Sequence, residues 1–138
     1  MNSRADRLHV AAMCLVAAGT IAYWTVYFTS GATQVRTDAV YIGFEDAFPL
    51  ADGWMTLCYL LAAWFLWRGD RRAVLWSLCA GSAMVFLGSM DLLFNIEQGH
   101  FSHAPSAEMW AEIVIVAYCW WFGPYTIRRM WRHPLNAA

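Results

Sequence analysis

Trp64-Phe65-Leu66-Trp67-Arg68-Gly69-Asp70-Arg71-Arg72-Ala73-Val74-Leu75-Trp76 is the stretch on which the fold turns. An apolar run breaks at Arg68, polar or flexible residues follow to Arg72, and the apolar run then resumes. A turn that short joins only antiparallel neighbours, so two long hydrophobic segments must lie side by side as a helical hairpin. The segments on either side of the turn cover about 50–67 and 73–96. A first segment covers 8–29 and a last one 107–127. The first runs uncharged from Leu8 to Thr29, which at about 1.5 Å per residue crosses the roughly 30 Å hydrocarbon core of a bilayer. It is longer than the apolar stretch of a cleaved signal peptide, about 7 to 15 residues, and is read as a retained helix.

Composition agrees. The chain has 138 residues and is 60% hydrophobic, 17% aromatic and 14% charged, far from the soluble norm. Charge then orients the segments. Arg4, Arg7, Arg68, Arg71, Arg72, Arg128, Arg129 and Arg132 lie at one end, offset by Asp6 and Asp70, a net +6. Asp38, Glu45, Asp46, Asp52, Asp91, Glu97, Glu108 and Glu112 lie at the other, offset by Arg36 alone, a net −7. Arginine is retained on the cytoplasmic side of a membrane. The expected fold is therefore an all-α membrane protein, a single four-transmembrane-helix antiparallel bundle with both termini cytoplasmic, in an inner membrane of bacterial type. Trp24, Trp54 and Trp110 near the outer edge and Trp67, Trp76 and Trp131 near the inner edge fit headgroup depth. The connection 30–49, with Tyr41, Phe44 and Phe48 among its acids, reads as an outer interfacial segment covering the mouth of the bundle.

Several function classes are excluded. Cys14, Cys58, Cys79 and Cys119 fall one per segment without a C-x-x-C pair, which argues against a disulfide oxidoreductase. The chain has no lysine for a retinal Schiff base and no paired mid-membrane histidines for haem. Neither a flavin motif nor a nucleotide motif is present, and no cofactor is assigned. The basic tails are too short for nucleic acid, though they suit membrane lipid headgroups.

Small and polar stripes mark the faces that meet inside a membrane bundle. The first segment offers Cys14, Ala18, Ala22, Thr25 and Thr29, and the second Asp52, Thr56, Tyr59 and Ala63. The third offers Ser77, Gly81, Met84, Gly88, Asp91 and Asn95 at unbroken steps of four and three, and the fourth Glu108, Glu112, Ile115 and Cys119. An ionisable group at membrane depth costs about 2.5 to 3.5 kcal/mol on insertion scales and normally faces the interior. Asp91 and Glu112 fall at similar depth, about 9 Å below the outer helix ends. Two such acids do not both stay ionised cheaply without compensation. The alternatives are protonation, a shared proton, pairing with Arg36, or a bound cation.

Three functional expectations follow. The first is an outward-facing acidic pocket that binds or transports a proton, a metal cation or an organic amine. Its base is Asp91 and Glu112, and its surroundings are Asn95, Asp52, Thr56, Tyr59, Glu45, Asp46 and Glu108. Tyr23, Tyr27, Tyr59, Tyr118, Trp24, Trp54 and Trp110 are the aromatics available for cation–π contact. Transport by so small a chain would call for a homodimer. The second is a membrane-embedded enzyme using Asp91 and Glu112 as acid and base on a lipid or isoprenoid, with Tyr59 or Asn95 orienting it. The third is an accessory subunit of a larger membrane complex. A separate pattern, Glu97-x-x-His100-x-x-His103, has ligand types that suit a transition metal. Gly99 and Pro105 interrupt its helical spacing, and solvated loop histidines are the plainer reading.

Overall fold

The computed structural model describes residues 3–31, 38–99 and 107–136, the side chains of 107, 108 and 111 excepted. Among these residues the chain is helical and has no strand. Its elements are α1 (Arg4–Ser30), α2 (Ala39–Glu45), α3 (Pro49–Trp67), α4 (Arg72–Glu97) and α5 (Ala107–Trp131), followed by a 3-10 turn at Pro134–Asn136. Three stretches are long and apolar enough to cross a membrane, namely Arg4–Ser30, Ala39–Trp67 and Arg72–Glu97. The last helix, α5, is 25 residues long.

Local chemistry sets the helix ends. Ser3 Oγ accepts from the Asp6 amide at 3.1 Å while Asp6 Oδ2 accepts from the Ser3 amide at 2.9 Å, a reciprocal cap that satisfies the orphan donors at the start of α1. Gly31 closes α1 at φ 67°, the left-handed region where a Cβ is costly. Asp38 caps α2 by accepting from the Tyr41 amide, and Pro49 occupies the start of α3, where its missing N–H costs nothing. Between α3 and α4, the Gly69 amide donates to Leu66 O at 3.0 Å and the Asp70 amide to Phe65 O at 2.9 Å. Arg72 grips Asp70 at 2.7 Å and lies over the Phe65 ring at 4.2 Å. Its side-chain hydrogen bonds hold the exposed Asp70 carboxyl down to about 2.

The long helices pack in chain order, α1 on α3, α3 on α4 and α4 on α5. The α4 stripe read from the sequence is the interior face: Ser77, Gly81, Met84, Gly88 and Asn95 are buried, and Asp91 is half-buried. The glycines in it bring two backbones together. A Cβ on Gly81 would stand 2.8 Å from Gly123 O and from Ile127 Cγ1, and one on Gly88 would stand 2.6 Å from Cys119 Cβ. As α4 rises from Gly81 to Gly88, α5 descends from Ile127 to Cys119, so the pair is antiparallel. Close approach of this kind is what apolar helices use when burial brings no gain over lipid.

The face expected for α1 is corrected. Cys14, Ala18, Ala22, Thr25 and Thr29 all lie on the exposed side. The inward stripe is instead Asp6, His9, Met13, Val16, Thr20, Tyr23 and Tyr27, buried or half-buried at steps of three and four. Hydrogen bonding lets the exposed threonines stay outside. Thr25 and Thr29 hydroxyls donate within the helix, to Ile21 O at 2.7 Å and Thr25 O at 2.6 Å, so neither needs a partner elsewhere. The tyrosines, by contrast, reach acids on another element.

At the end of the bundle that carries the arginines, α1 meets α5. Arg129 Nη2 donates to Asp6 Oδ1 at 2.7 Å, and His133 Nε2 lies 3.2 Å from the same oxygen. The buried His9 ring packs against Phe122 and Tyr125 at 5.8 and 5.6 Å. This junction ties the two ends of the described chain together.

Replacing Gly81 by leucine forces α4 from α5 and is expected to cost about 1 to 3 kcal/mol, the scale of an overpacked core. Gly53, whose added Cβ would meet nothing within 4 Å, is expected to gain about 0.5 to 1 kcal/mol as alanine. Thermal unfolding in a neutral detergent separates the two variants, and an unchanged midpoint for Gly81→Leu would contradict the close α4–α5 contact.

Candidate functional site

The end opposite the arginines holds a cavity of about 880 Å³, within the range of small-molecule sites. Each of the five helices contributes to its wall. Carboxylates come from four of them, Glu45 of α2, Asp52 of α3, Asp91 of α4 and Glu112 of α5. Aromatic rings stand beside them, with Tyr23 and Trp24 from α1, Tyr41 from α2 and Tyr118 from α5. The remainder of the wall is apolar, including Val16, Met55, Met84 and Leu87.

Three of the acids are held by neutral donors. Tyr23 OH donates to Glu45 Oε2 at 3.2 Å, Trp24 Nε1 to Asp52 Oδ2 at 2.7 Å, and Asn95 Nδ2 to Asp91 Oδ1 at 3.1 Å. Such bonds orient a carboxylate and lower its desolvation cost without cancelling its charge. The α2 helix is fixed over this end by aromatic packing. Phe44 stacks on Phe94 of α4 with centroids 3.8 Å apart and planes 5° from parallel, and meets Phe48 edge-on at 4.7 Å. Tyr41, Glu45 and Phe48 of the 30–49 connection thus border the cavity directly.

The residues singled out from the sequence separate into groups. Asp91, Glu112, Asp52 and Glu45 share the cavity. Asn95 is buried behind Asp91 and acts on it, donating also to Asp91 O at 3.0 Å. Asp46 lies aside, accepting from Tyr27 OH at 3.2 Å. Thr56 is not on this wall; it opens on a smaller groove between α1 and α3 with Thr25, Phe28 and Pro49. Tyr59 is fully buried in the helix packing, with its hydroxyl 3.0 Å from Met84 Sδ. Trp54 and Trp110 are exposed. Glu97 is exposed at the end of α4, whereas His100, His103 and Arg36 lie outside the described residues, as does the side chain of Glu108. Among the described residues, no three His, Cys, Asp or Glu side chains come together as a metal-holding group.

Tyr23 and Trp24 were among the aromatics read as available to the site, but the rest of the α1 wall, Leu15, Val16, Gly19 and Thr20, was missed. Val16 and Thr20 carry a signal in the 3–4 spacing that begins at Asp6 and His9, which competes with an equally regular stripe of small residues; Leu15 and Gly19 lie outside that spacing.

The Trp24–Asp52 bond is testable by a double-mutant cycle. Trp24→Phe leaves a half-buried carboxylate short of its donor and is expected to cost about 1 to 3 kcal/mol in unfolding. In an Asp52→Ala background the same change should cost clearly less, and strict additivity would contradict the bond.

No family model matches this chain, nor does any curated protein or any solved structure.

Proposed function

We propose that the chain is a four-span membrane protein, with both ends of the chain on the cytoplasmic side, whose outward-facing cavity binds an organic cation, a protonated or quaternary amine. The observation that carries this reading is the wall itself: four helices each place a carboxylate on one cavity that also presents Tyr23, Trp24, Tyr41 and Tyr118. Negative charge in a low-dielectric cleft concentrates cations, and aromatic faces favour an ammonium over a hydrated metal ion by cation–π attraction. The cavity volume suits a molecule of many atoms rather than a bare ion. A metal ion is less well served, since the described acids do not gather into a ligand set.

Acid–base catalysis on a lipid is the less favoured alternative. The side chains that would orient its substrate are engaged elsewhere, Tyr59 with Met84 and Asn95 with Asp91. The arginine-rich end, with the Asp6–Arg129 junction, supports the orientation through the preference of arginine for the cytoplasmic side.

Calorimetric titration of the purified protein with tetramethylammonium, in a neutral maltoside detergent, tests the reading. Asp91→Asn and Glu112→Gln are each expected to weaken binding by about tenfold, roughly 1.4 kcal/mol. Unchanged affinity in both variants would refute it.

A further inference from the structure

The cavity opens sideways. Leu15, Val114 and Ile115 all line it, yet they are 73%, 63% and 48% exposed, so they form a rim. None of them belongs to a helix end. Leu15 lies about 16 Å along α1 from Arg4 at about 1.5 Å per residue, and Ile115 lies well inside α5. The opening therefore runs between the middle parts of α1 and α5. The contacts that tie these helices, Asp6 with Arg129 and His133, and His9 with Phe122 and Tyr125, sit at the arginine end. From there the gap continues up to the acids. Gly19 stands on its α1 edge, where an added Cβ would meet nothing within 4 Å.

Resting on the proposed reading of the cavity as a cation site, we infer that its ligand is a single-chain amphiphilic cation, an ammonium head carrying an alkyl tail. The head lies among Glu45, Asp52 and Asp91. The tail runs along Val16, Met55 and Leu87 and leaves between α1 and α5. Charge complementarity decides the polar end, because the donors to those three acids, Tyr23, Trp24 and Asn95, are neutral. Depth decides the apolar end. In a membrane, a mid-helix opening faces acyl chains, and an alkyl tail there remains in apolar surroundings whether it is inside the gap or outside it. A headgroup that arrives in the plane of the bilayer needs no passage through bulk water.

The experiment compares tetramethylammonium with octyltrimethylammonium, a pair with a fixed positive charge and a variable tail, by calorimetry on the full chain in maltoside detergent. Affinity is expected to rise at least about tenfold with the tail. Gly19→Trp, which fills the gap, is expected to reduce that ratio to near one, whereas Ala18→Trp on the exposed side leaves it intact. If Gly19→Trp does not fold, Gly19→Leu serves as a smaller plug, and it is expected to lower the ratio part of the way. A ratio near one in the unaltered chain overturns the inference, as does a ratio insensitive to either Gly19 variant. Absence of tetramethylammonium binding altogether, or its indifference to both Asp91→Asn and Glu112→Gln, overturns the cation site and this inference with it. Tetramethylammonium binding that depends on Asp91 but gains nothing from the tail overturns this inference alone.

Discussion

The upper half of the bundle depends on carboxylates held inside it by neutral hydrogen-bond donors. Glu45, Asp52 and Asp91 come from three successive helices, and they accept from a phenol, an indole and an amide. Removing a carboxylate from water is expensive, and one neutral donor offsets only part of the cost. The acids nonetheless converge on a single cavity. The same helix that brings Glu45 to Tyr23 is seated by the stack of Phe44 on Phe94. Convergence of the acids fixes the rotation of α1, because Tyr23, Trp24 and Tyr27 all have to face acids on the elements that follow.

How much of this was legible in the sequence differs from helix to helix, for physical reasons. The α4 stripe was plain because Ser77, Gly81, Gly88, Asp91 and Asn95 leave only one face on which small and polar residues coincide. The α3–α4 hairpin was plain because five residues permit no other path. In α1 two stripes of equal regularity compete, and in a helix apolar enough to cross a membrane hydrophobicity alone does not choose between them. The choice is made by Glu45, Asp46 and Asp52, which lie in other elements. No periodicity within α1 contains that information. Thr56 and Tyr59 illustrate a similar limit: both are interior as their spacing implied, yet interior faces serve both packing and cavity, and the backbone geometry decides which.

The two ends of the bundle are built in opposite ways. At the arginine end, Asp6 collects the Ser3 cap, Arg129 and His133, so that charge, helix start and chain terminus meet in one cluster. His9, Phe122 and Tyr125 continue the closure inward. The part-buried Asp6–Arg129 pair is opposite in charge and close in contact, the condition under which an ion pair away from bulk water is tolerated. At the other end acids from four helices stand around open space, an arrangement that costs desolvation, which neutral hydrogen-bond donors partly offset.

Closure at one end and separation at the other are mechanically linked. With α1 and α5 pinned by Asp6, Arg129 and the aromatic cluster, the middle of α1 is positioned by α3 rather than by α5, and the gap at Gly19 follows from that geometry. The α4–α5 contact is close because glycine permits backbone approach on both sides, at Gly81 and at Gly123. One wall of the gap is therefore packed tightly against the rest of the bundle. The other is held by hydrogen bonds from Tyr23 and Trp24 to the same acids that border the cavity. Tyr23 and Trp24 thus tie the position of α1 to acids of two other helices.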